Sequence, residues 1–126
     1  MLKYSALGFI IPTIYAWYKN NIEYGNGFFF LFLTSYTWHC RTKDNKLKNS
    51  KFWWIDQFGV LNVVLIGLYN YYTYCNNIIF KIMIPILCLI CPCLYIYNEK
   101  FIDDDKIHLI IHIITVIGHC MIIYGI

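Results

Sequence analysis

The sequence predicts an all-α fold, a bundle of about five transmembrane helices. Three observations predict it. Hydrophobic residues make up 60% of the 126 positions. Asp, Glu, Lys and Arg together make up 13%, about half the share of an ordinary soluble domain. The apolar residues also gather into long runs separated by short polar stretches. A soluble domain of this size needs a large polar surface, because small bodies bury a smaller fraction of their area. The charges for that surface are missing, and the length allows one domain.

A helix crosses a bilayer core with about 20 apolar residues, within a range of roughly 17–25. Five segments meet this, at about 2–18, 24–40, 53–74, 78–97 and 107–126. The first could pass for a signal peptide, with Lys3 ahead of an apolar stretch. Pro12, the bulky aromatics and the lack of a small-x-small cleavage site favour a retained span. The second is short and rich in Phe: Phe28, Phe29, Phe30 and Phe32. The connections are polar: Lys19-Asn20-Asn21, a basic loop over 41–51, a tight Asn76-Asn77 turn, and 98–106 with its Asp103-Asp104-Asp105 triplet. That triplet reads as a solvated loop. Trp17, Trp38, Trp53 and Trp54 sit near the segment ends, as interfacial belts do.

Five crossings place Lys3, Arg41, Lys43, Lys46, Lys48, Lys51, Lys100 and Lys106 on one side and only Lys19 and Lys81 on the other. Positive loops stay inside. The N-terminus is therefore expected in the cytosol and the C-terminus on the opposite face; the organelle is not encoded. The basic loop reads as a membrane-surface segment rather than a nucleic-acid site. Cys88, Cys91, Cys93 and Cys120 lie inside apolar runs, where Cys behaves as a small hydrophobe. Cys88-x-x-Cys91 has the spacing of half a zinc site but no polar company. Cys40 and Cys75 fall at opposite segment ends and are not expected to meet.

Ionisable residues inside spans are costly and by default mark function. Here they are Asp56, His39, His108, His112 and His119, with Lys81 near a span start, where its side chain snorkels to the interface. His39 ends the second segment, Asp56 opens the third, and His108 and His112 open the fifth. An even number of crossings between Asp56 and His108 brings all four to one depth near the cytosolic face. His108 and His112 are spaced i, i+4 and share a helix face, so they can chelate one metal. His39 can add a third nitrogen. Three protein ligands with an open water position is the usual catalytic zinc pattern. Ser35 lies one turn before His39 on the same face. Asp56 can orient the water or act as general base. His119, about 10 Å past His112 along the helix, is too far for the same metal and reads as a hydrogen-bonded interior histidine.

Ser35-x-x-x-His39, then Asp56, then His108-x-x-x-His112 resembles the signature of the CREST superfamily, which includes alkaline ceramidases, progestin and adipoQ receptors and hemolysin III-like proteins. Trp54-Ile55-Asp56-Gln57-Phe58-Gly59-Val60 is similar to the Leu-Asp-x-x-Gly-Ile segment of the adipoQ receptor branch. The 17-residue step from His39 to Asp56 suits that branch too. His108 through Gly118 looks as much like the ceramidase C-terminal helix. The resemblance covers about 35–74 and 106–126. It implies a seven-helix bundle holding zinc through His39, His108 and His112, with Ser35 and Asp56 beside the water, and hydrolysis of a lipid amide such as ceramide. Five expected spans depart from seven, and the missing pair would lie between Asp56 and His108, so this would be a reduced member. The expected activity is zinc-dependent hydrolysis of a membrane lipid amide or ester. The alternative is a small structural or interaction protein of the membrane that retains the metal site. A homo-oligomer could complete a cavity that one short chain cannot enclose.

Overall fold

Three short polar side chains set where helices begin. Asn21 Oδ1 accepts from the Tyr24 amide at 3.1 Å. Asn77 Oδ1 accepts from the amides of Ile79 and Phe80 at 2.9 and 3.3 Å. Asp104 Oδ1 accepts from the Lys106 amide at 2.9 Å. Each satisfies amides that the first turn of a helix leaves without an intrahelical partner.

The computed structural model describes residues 2–41, 51–102 and 104–126. Among these the chain is helical: α1 (Leu2–Ser5), a 3-10 turn (Ala6–Phe9), α2 (Ile10–Tyr18), α3 (Ile22–Arg41), α4 (Lys51–Tyr74), α5 (Ile78–Tyr97), a π turn (Asn98–Ile102) and α6 (Asp105–Tyr124). α1, the 3-10 turn and α2 run on as one rod. The tighter turn has a local cause. Pro12 has no amide hydrogen, and its ring crowds the carbonyl four residues back, at Gly8.

The five rods lie on the five apolar segments to within two residues at each end. Most of the basic loop, residues 42–50, and Asp103 of the acidic triplet lie outside the described residues. The rest of the triplet is not a plain solvated loop. Asp104 caps α6, its own amide donates to Asn98 Oδ1 at 2.8 Å, and Asp105 is the first residue of α6.

Among the described residues, two helical stretches are long and apolar enough to cross a membrane, Ile78–Ile102 and Asp105–Tyr124; Ala6–Tyr18 is apolar but shorter. α3 falls below that measure, and both α3 and α4 carry polar side chains. Ser35 and His39 are on α3, and Asp56, Gln57, Asn62 and Asn70 are on α4. Several of these turn inward: Ser35, Asp56 and Asn70 are buried.

The packing has a definite order. α3 packs on the α1–α2 rod and on α4, while α6 packs on that same rod, on α4 and on α5. α3 and α6 therefore stand diagonally across the core, joined by side chains rather than by backbone approach. Tyr24, Phe28 and Leu31 of α3 meet Phe9, Val63, Ile122 and Ile123 in the buried cluster. The rod crowds α3 at Gly25, where a Cβ would collide with the Trp17 indole.

α4 and α5 follow one another but do not pack along their lengths among the described residues. They are joined at their connected end. Pro85 cannot donate to the carbonyl of Lys81, and the Tyr71 hydroxyl donates to that carbonyl instead, at 2.8 Å. Within a membrane helix, a proline is tolerated where a neighbour satisfies the freed group in this way. Beyond this joint the two helices part, and a cleft opens between them.

Candidate metal centre

α3 delivers His39 in its last turn, and α6 delivers His108 and His112 from consecutive turns in its first half. The three rings face one another. Ring centroids are 5.0 Å apart for His39 and His108, 5.4 Å for His39 and His112, and 4.8 Å for His108 and His112. One nitrogen from each ring lies within 4.8 Å of the others, so the group could hold a metal ion. No other such group of three occurs among the described residues. The expected convergence of these residues, far apart in sequence, is therefore present.

Two observations fit a metal there. His39 Nε2 is buried without a hydrogen-bond partner. Orphaned buried nitrogens are rare in folded proteins, and a coordinate bond would satisfy this one. His112 is buried, and its Nδ1 lies 2.7 Å from the Ser5 hydroxyl. A metal-binding histidine usually gives its second ring nitrogen to an outer partner, which fixes the tautomer and aims the first. Ser5 occupies Nδ1 and leaves Nε2 of His112 for the cluster. Phe9 packs on the same ring, with centroids 5.0 Å apart.

Ser35 and Asp56 line the same cavity as the triad. Both are buried, at 2% and 7% exposed. Asp56 is not one of the clustered ligands. Its protein hydrogen bonding is sparse. Thr34 Oγ1 lies 3.5 Å from Asp56 Oδ1, but the same hydroxyl also donates to the Leu31 carbonyl at 3.1 Å, and it has one hydrogen to give.

The cavity measures about 960 Å³, at the upper end for small-molecule sites. Trp38, Trp53 and Tyr95 line it around the histidines, and Leu31, Val60, Val63, Ile84, Leu87 and Ile111 wall it further in. Its far end holds Gly67 and His119. His119 is hydrogen-bonded as expected, with Nδ1 against the Tyr24 hydroxyl. The cysteines take no part in a disulfide, since all six are free. Cys91 makes a weak contact with Thr115 at 3.7 Å.

Sequence reasoning missed Ser5 and Tyr24. Their partners lie 107 and 95 positions away, and neither belongs to a local motif. Ser5→Ala is expected to weaken metal binding by about ten- to a hundredfold while leaving the histidines in place; competitive titration with a chromophoric chelator measures it.

The fold and the site together define an all-helical bundle with a three-histidine cluster at one end of a mostly apolar cavity. The chain matches no family model, no curated protein and no solved structure.

Proposed function

We propose that this chain is a zinc-dependent membrane hydrolase that cleaves a lipid amide or ester, as a reduced relative of the ceramidase-like CREST proteins it resembles. One observation carries the reading: three histidines converge at the end of a large, mostly apolar cavity that also holds a buried aspartate and serine. In this reading all five rods cross the bilayer. The Lys and Arg bias puts the N-terminus and the histidines on the cytosolic side, with the C-terminus opposite.

His39, His108 and His112 would hold the metal. A zinc ion held there would supply Lewis acidity, lowering the pKa of a water toward neutrality and polarising a carbonyl. The remaining work falls to the chain itself. Asp56, held only loosely by Thr34, takes the proton of the attacking water on a carboxylate oxygen and returns it to the leaving amine or alcohol. The Ser35 hydroxyl donates to the oxygen on which charge develops. The apolar walls accept the acyl chain and keep bulk water away from the reacting carbonyl.

A second reading has its own support. α4 and α5 are parted along their length, so the cavity is open on one flank, where a seven-helix bundle would carry two further helices. A non-catalytic interaction protein that keeps the metal to tie its helices together fits that opening. A second copy of the chain could also close it.

Detergent-purified protein incubated with a long-chain N-acyl amide and the matching ester separates the two readings. The expected result is release of fatty acid that stops with a chelator and resumes with added zinc. Metal-loaded protein that releases none from any acyl amide or ester would overturn the hydrolase and leave the structural role.

A further inference from the structure

The far end of the cavity carries a polar feature that hydrolysis at the triad does not use. His119 lines the cavity two turns beyond His112 on α6, about 10 Å away at 1.5 Å per residue. Its Nδ1 is bonded to the hydroxyl of Tyr24, and Tyr24 is fully buried. A buried hydroxyl must place its hydrogen on an acceptor. The acceptor here is Nδ1, so the neutral ring carries its own hydrogen on Nε2. No protein group bonds to Nε2 among the described contacts. The surroundings hold the ring in place: Phe28 packs edge-on with centroids 4.7 Å apart. Gly67 provides the room, because a Cβ there would stand 2.8 Å from His119 Cε1 and 3.1 Å from the Tyr24 hydroxyl.

We infer that His119, oriented by Tyr24, is a specificity determinant that donates an Nε2 hydrogen bond to an oxygen part-way along the substrate's acyl chain. The preferred ligand class is then a lipid whose chain bears a hydroxyl or oxo group about 10 Å from the carbonyl at the histidine triad. This rests on reading the cavity as the acyl site of the proposed hydrolase. Most of the wall between the two ends is apolar, through Leu31, Val63, Leu87 and Ile111. An isolated donor in such a wall is unsatisfied by a plain hydrocarbon chain and satisfied by an oxygenated one. That difference, rather than overall tightness, is what it can discriminate.

Binding of two free acids to the purified full chain in detergent tests this without turnover. The probes are 10-hydroxyoctadecanoic acid and octadecanoic acid, each a product of the proposed hydrolysis. The wild type is expected to bind the hydroxy acid about fivefold more tightly, the worth of one neutral hydrogen bond. His119→Phe keeps a ring in the space and should abolish the preference while octadecanoic acid binds as before, which also shows that the variant is folded. Tyr24→Phe removes the proton that fixes the tautomer and should reduce the preference in the same direction. Equal affinities in the wild type, or a preference that persists in His119→Phe, would overturn the inference and leave the hydrolase standing. Failure of octadecanoic acid to bind at all would remove both.

Discussion

His108→Ala combined with His112→Ala is expected to reduce bound metal from about one zinc per chain to none. The two residues supply both ligands that α6 contributes, and they meet His39 within 4.8 Å. His39 alone cannot hold an ion against solvent. Elemental analysis of detergent-purified protein, wild type beside variant, reads the result directly. The same variant also releases Ser5 from His112 and removes two rings from the end of the cavity. Its helical content should therefore be followed by circular dichroism, so that loss of metal is not confused with loss of fold. Metal-free wild-type protein that takes up no added zinc would overturn the metal centre and leave three packed histidines.

Asp56→Asn separates chemistry from metal binding. The substitution keeps size and shape, and its amide oxygen can still accept from Thr34. What it loses is the ability to take a proton. Turnover is expected to fall by about a hundred- to ten-thousandfold, the usual worth of a positioned general base. Metal content should be unchanged, because Asp56 stands outside the ligand cluster. Fatty-acid release under saturating substrate, normalised to bound zinc, measures the effect. Wild-type turnover in the Asp56→Asn variant would remove Asp56 from the mechanism.

The helices were legible because apolar run length reports them almost directly. Their starts were less so. Asn21 and Asp104 read as loop residues, yet they cap α3 and α6 and lengthen both helices toward their N-termini. The meeting of His39 with His108 and His112 was legible for a topological reason. Returning helices bring alternate ends to the same level, and i, i+4 spacing does the rest. Ser5 and Tyr24 were not legible, because each matters through one side chain of α6 contacted from a distant part of the chain. Periodicity says which face of a helix is apolar; it does not say which residue of another helix will stand against it. The parting of α4 from α5 was also hidden, since a three-residue connection at 75–77 suggests close neighbours.

The diagonal placement of α3 and α6 has a thermodynamic consequence. Neither helix leans on the other through its backbone, so an ion held by His39 on one and by His108 and His112 on the other would act as a strut across the core. Such an ion binds the assembled bundle and not the separated helices. Its free concentration then enters the folding equilibrium by mass action, adding about 2.7 kcal/mol at a hundredfold excess over the dissociation constant. With the proposed ion bound, the bundle's melting temperature would become a readout of available metal, and the chain's persistence would be tied to the metal supply around it.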